Sequence, residues 1–244
     1  MILSDLFASG ILLVYYLIFC FILPTLFKAW GKLPNELVRK FQHISYSLSI
    51  FLLLDLFSTW YAAIVGASIL VVVAYPALML MEKTPFYKKY LVDRTSKGGE
   101  MRKQMMYIYA TFAILIFIYW GVLGTRWYYI AAVAVMAWGF GDAAAALVGK
   151  ALGRRRIFHR LIERTKTIEG TTAMITAAAL ALFFTMLCYA GKPWYTSLVV
   201  SVVVAPVVGT VELFSRKGTD TFTVPLAAAF IIMPLIYFIS ILGG

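Results

Sequence analysis

The sequence predicts an all-α, polytopic membrane protein with about eight transmembrane helices, and three observations predict it. Hydrophobic residues make up 62% of the 244 and charged residues only 14%, against about half and a quarter in ordinary soluble domains. Apolar stretches of bilayer-spanning length recur from end to end. The basic residues collect between alternate stretches, as positive-inside sorting of a multi-span chain requires.

Taken in order, the stretches run at roughly 8–27, 41–57, 59–81, 105–124, 127–149, 170–190, 195–214 and 224–242, close to the about 17–25 residues that cross a hydrocarbon core. The first lacks the basic start and small-residue cleavage site of a secretory signal and is expected to stay as a helix. The second is the least apolar, opening with Gln42, His43, Ser45, Ser47 and Ser49. Cys20 and Cys188 lie inside apolar stretches, where they act as small hydrophobes and offer no metal spacing.

Charge orders the loops. Twenty of the 22 basic residues follow the first, third, fifth and seventh stretches, leaving Arg126 and Lys192 on the other side. These four loops are therefore expected to be cytoplasmic, with the N-terminus outside. Nine of the 11 carboxylates, all but Asp5 and Asp55, lie in or beside the same loops, so chemistry is expected to face the cytoplasm. The net charge of +11 is orientation charge on this account, and nucleic acid is not an expected partner. The loop 82–104 mixes Lys, Tyr, Phe and Leu, which suits anionic lipid headgroups. No loop is long enough to fold separately, so residues 1–244 are expected to form one membrane domain. The oligomeric state stays open, a homodimer among the options.

Four polar constellations interrupt this pattern. Asp142 follows Gly141 inside an apolar stretch, and Gly149 and Gly153 succeed it at helical spacing. An aspartate at a membrane edge is costly unless a cation meets it, and small residues let a backbone or a phosphate come close. A helix-packing stripe is the plain alternative. The second constellation runs from the basic loop at Arg154 to Lys166, Thr167, Glu169 and Gly170. A threonine cap and free amides at a helix start favour an anion, and a lysine beside them suits phosphate. In the third, Glu212 and Asp220 flank a short turn with Arg216 and Lys217. Mg²⁺ takes one or two carboxylates together with substrate phosphates, so Asp142, Asp220 and Glu212 are the candidate metal ligands. The fourth holds Asn35, a candidate helix cap, with Arg39, Lys40 and His43. Its cations suit phosphates, and His43 serves either as a contact to a substrate hydroxyl or as a structural residue. The chain contains no Gly-x-x-x-x-Gly-Lys-Ser/Thr loop, since Gly149-Lys150 leads into alanine, no Gly-x-Ser-x-Gly elbow and no His-Glu-x-x-His pair.

At these residues the chain resembles the CTP-dependent lipid-alcohol kinases: the dolichol kinase, phytol kinase and CTP-dependent diacylglycerol kinase group, related to CDP-diacylglycerol synthase. The matching segments, in order from Glu36 to Pro225, are Arg39-Lys40-x-x-His43, Gly141-Asp142 through Gly153-Arg154, Lys166-Thr167-x-Glu169-Gly170, and Glu212-x-x-Ser215 followed by Asp220-x-x-x-x-Pro225. Thr221 stands where the group often has asparagine, and Thr167 where it usually has serine. The Pro-Gly-His-Gly-Gly segment of the cytidylyltransferases is missing after Pro225. The resemblance implies transfer of the CTP γ-phosphate to the hydroxyl of a polyprenol, dolichol, phytol or diacylglycerol. Asp142 and Asp220 would serve Mg²⁺ with Glu212 as helper, either aspartate also being able to take the hydroxyl proton. Lys166, Arg39, Lys40 and Arg154 would hold phosphates, and the Gly141–Gly153 face would admit the triphosphate. A cytidylyltransferase forming a CDP-activated lipid is the main alternative. A transporter of an anionic solute is the other, although it would place polar residues near mid-membrane in several spans.

Overall fold

The computed structural model describes residues 2–31, 33–90, 99–216 and 218–241. Lys32, Lys217 and the stretch 91–98 of the expected headgroup loop, with Arg94 and Lys97, lie outside the described residues.

Without water to satisfy them, backbone amides in a bilayer must bond within their own helix, and about 20 residues cover the hydrocarbon thickness. Among the described residues, seven helical segments are long and apolar enough to cross: Leu3–Ala29, Trp60–Met81, Glu100–Val122, Tyr129–Leu152, Ile168–Tyr189, Trp194–Phe214 and Asp220–Ile241. Each coincides with an expected span. The expected stretch 41–57 is the one not among these seven. It is helical, within α3 (Asn35–Asp55), but too polar to join the seven. Its polar side chains turn inward: Gln42, His43, Ser45, Ser47 and Ser49 are buried. The Ser45 and Ser47 hydroxyls donate to the carbonyls of Phe41 and His43 four residues back. Among the described residues the only extended pairing is the isolated bridge between Arg156 and Thr167.

The chain divides into two compact units, Met1–Phe117 and Ile118–Gly244. In the first, α1 (Ile2–Tyr15) continues through a π-helical stretch, Tyr16–Ile22, into α2 (Leu23–Ala29). α3 returns alongside, followed by α4 (Trp60–Met81), the short α5 (Pro85–Tyr90) and α6 (Glu100–Ile116). Thr59 caps α4 by accepting from the Ala62 amide. The expected cap of α3 is displaced by one residue: Asn35 is its first helical residue, and the extended Pro34 precedes it. Proline's fixed φ and missing N–H make the chain turn there without a side-chain cap.

The second unit is a bundle of α7 (Tyr129–Leu152), α8 (Ile168–Phe184), α9 (Trp194–Phe214) and α10 (Asp220–Ile241). α7 packs against each of the other three and is its core. Every residue from Tyr129 to Gly139 is buried, as expected of a helix that is apolar all round. Its alanines and glycines let three neighbours approach closely.

Candidate functional site

The second unit assembles a polar site from the ends of α7, α8 and α9. Thr167 is extended and its Oγ1 accepts the Gly170 amide at 3.1 Å, capping α8 as its sequence position suggested. The loop ahead of α8 is folded back on that helix start. The Ile157 amide donates to the Lys166 carbonyl at 3.1 Å, and the Ile168 amide to the Arg155 carbonyl at 3.0 Å. Glu169 completes the clasp, its two carboxylate oxygens accepting the Arg155 amide at 3.2 and 3.3 Å. Glu169 therefore anchors the basic loop. Arg155, which the sequence alone offers only as orientation charge, is the backbone partner that does so. The contact joins residues 14 apart through a bridge with no helical or strand period, so no local pattern could reveal it.

Lys166 leaves this clasp toward α9. Its ammonium forms an ion pair with the Glu212 carboxylate and donates to the Glu212 carbonyl at 3.2 Å. The Glu212 side chain is only 5% exposed, while the lysine side chain keeps 21%. A carboxylate so buried requires a counter-charge, and Lys166 supplies it. Glu212, expected as a third metal ligand, is thus engaged by a cation. α9 ends three residues on, where the Ser215 amide bonds the Glu212 carbonyl and the Ser215 hydroxyl meets Thr223 Oγ1 at 2.7 Å. That bond ties the turn to α10, whose first residue is the half-buried Asp220. Asp142 is half-buried on α7. Among the described residues no three or more His, Cys, Asp or Glu side chains group as a metal cluster.

The small-residue face of α7, where the phosphate groove was expected, lies against α8. A Cβ on Gly141 would meet Met174 Sδ at 2.6 Å, and one on Gly149 would meet Thr167 Oγ1 at 3.2 Å and Gly170 Cα at 3.5 Å. A Cβ on Gly153 would collide with the Gly149 carbonyl oxygen and meet Thr167 Oγ1 at 2.8 Å. Gly170 answers from α8, 3.0 Å from the Ala145 carbonyl by the same construction. Gly141, Ala145, Gly149 and Gly153 therefore form one i, i+4 row along which α7 and α8 touch. The space left by the missing side chains is taken by the neighbouring helix. Asp142 lies next to this row, about 100° round the helix from Gly141.

What remains open is the outer side of the same helices. A shallow groove of about 770 Å³ is bordered by Arg154, Arg155 and Glu169 at one end and runs past Val148 and Thr172 to Leu180. The Thr172 and Thr176 hydroxyls donate back to the carbonyls of Ile168 and Thr172. Arg154 and Arg155 are exposed at its mouth.

The remaining expected residues belong to the first unit. Arg39 pairs with Glu36 one turn earlier on α3, and Lys40 and His43 are buried on the same helix, 3% and 4% exposed.

Comparison with known proteins finds no matching family model and no matching solved structure. The chain is similar to a curated phytol kinase of Synechocystis sp., 40% identical over 99 residues. The match covers 41% of this chain and 40% of that protein, so the chain spans about two fifths of the curated relative it matches. Together with four ordered segments, this similarity supports the lipid-alcohol kinase group as the family that the chain resembles.

Proposed function

We propose that the chain phosphorylates the hydroxyl of a membrane lipid alcohol, with CTP as donor, at the cytoplasmic face. The observation that carries the reading is Lys166. A single buried carboxylate on α9 holds its ammonium beside the capped start of α8, the helix end whose dipole favours an anion. The phytol kinase similarity makes a long-chain isoprenoid alcohol the first acceptor to test. The cytoplasmic assignment rests on the basic loops.

Phosphoryl transfer asks a protein mainly to position reactants and neutralise charge. Lys166 would hold donor phosphate oxygens, with Glu212 fixing the ammonium in place. Arg154 at the groove mouth would add charge. Asp142 and Asp220 suit Mg²⁺ by donor type, because that ion takes one or two protein carboxylates beside substrate phosphates. Bound there, it would neutralise charge on the transferring phosphate. The lipid oxygen attacks the γ-phosphorus, the bond to the β-phosphate oxygen breaks and CDP leaves. Asp142 or Asp220 accepts the hydroxyl proton.

Incubation of the reconstituted chain with γ-labelled CTP or ATP and a panel of lipid alcohols tests this. Label in the lipid, with CTP preferred, is the expected result. Label released only as pyrophosphate would instead establish a cytidylyltransferase.

A further inference from the structure

The first unit has a partly open cavity of about 330 Å³ between the α1 span, α3, α4 and α6. We propose that this cavity holds the hydrocarbon chain of the lipid-alcohol acceptor, an inference that rests on the kinase reading for the identity of its occupant. The volume falls within the about 300–1,000 Å³ of small-molecule sites. None of the described residues lining it is charged; they are leucines, valines, alanines, methionines and aromatic rings, with Cys20 and Ile108.

Three features select a membrane lipid chain as the guest. Leu13, Leu17 and Val73 line the cavity and are also 44%, 47% and 63% exposed on the apolar outside of two membrane spans. Their dual position makes the wall between α1 and α4 a lateral way in from the bilayer. One polar group of α3 also lies against the lining: Gln42 Nε2 donates to the carbonyl of Cys20, a lining residue, at 2.6 Å within the π-helical stretch. Tyr46, one turn further along α3, lines the cavity. His43 and Arg39 follow on the same helix toward its start, so a chain lying in the cavity carries its hydroxyl toward the α3 cations. Finally, the wall is adaptable: Met81, Met101 and Met105 are unbranched side chains that mould to a guest.

The test uses the full chain in phosphatidylcholine vesicles with a diazirine-bearing long-chain isoprenoid alcohol. Photolysis is expected to label peptides of α4 and α6 around Ala74 and Met105. Ala74→Phe, and separately Ala67→Phe, should suppress that labelling. Each should also raise KM for the long-chain alcohol relative to a short-chain one about tenfold. Leu70→Ala, which enlarges the cavity and serves if the larger residues do not fold, should shift the preference toward longer chains. Labelling confined to the second unit, or an unchanged chain-length preference in all folded variants, overturns the cavity assignment even if lipid phosphate is made. Labelling of α4 and α6 without phosphorylation of any alcohol upholds the cavity and overturns the kinase reading.

Discussion

Arg39 in the first unit and Lys166 in the second each hold a carboxylate, but one pair is local and the other joins distant parts of the chain. Glu36 lies three residues before Arg39 on one helix. Glu212 lies 46 residues beyond Lys166 on another helix, and its side chain is almost sealed from solvent. A helical i, i+3 pair contributes a few tenths of a kcal/mol and can form in an isolated helix. A buried pair exists only when two helices dock, and removing one partner strands the other. The first unit thus presents cations on a local scaffold, while the second makes its cation depend on the bundle.

The largest contrast should come from Lys166→Met. It leaves the Glu212 carboxylate buried without its cation, a loss of about 3–5 kcal/mol, and it should remove turnover as well. Adding Glu212→Leu should restore most of the thermal stability in detergent and none of the activity. A single variant as stable as the parent would break the comparison. Asp142→Asn should act on chemistry alone, lowering turnover of γ-labelled CTP about a thousandfold while the melting temperature holds. Retained turnover would remove Asp142 from the metal and base assignments. Gly153→Ala probes the helix contact itself. Overpacking against the Gly149 carbonyl and Thr167 should cost about 1–3 kcal/mol, read as a lower melting temperature, with Gly149→Ala milder because its nearest neighbour is 3.2 Å away. Glu36→Gln should be the smallest, changing stability by less than about 0.5 kcal/mol. A cost approaching that of Lys166→Met would mean that the α3 pair is also a tertiary feature.

Much of the fold is legible in the chain because hydropathy is a property of short windows. Seven spans sit where their apolar stretches sit, and Thr167 caps α8 where a threonine precedes an apolar run. α3 departs from that pattern because its serines, Gln42 and His43 dilute the apolar signal, and only neighbours in the first unit make their burial affordable. The glycine row shows the limit of spacing as a guide. Small residues at i, i+4 announce a close approach, but the sequence does not say whether a phosphate or a helix makes it; here Met174, Thr167 and Gly170 of α8 do. Glu212 illustrates the same limit for charge. Its residue type suits a metal, and spacing alone gave no sign of the ion pair with Lys166.

The sequence by itself therefore determined the helices, the spacing of their apolar stretches and the segregation of basic residues, since each follows from composition over a few turns. Only the tertiary structure decided which row of α7 meets α8, that Lys166 reaches Glu212, that Arg155 is clasped by Glu169, and that four helices of the first unit leave an apolar cavity. Those are properties of surfaces built from residues far apart in the chain, and packing alone brings them together.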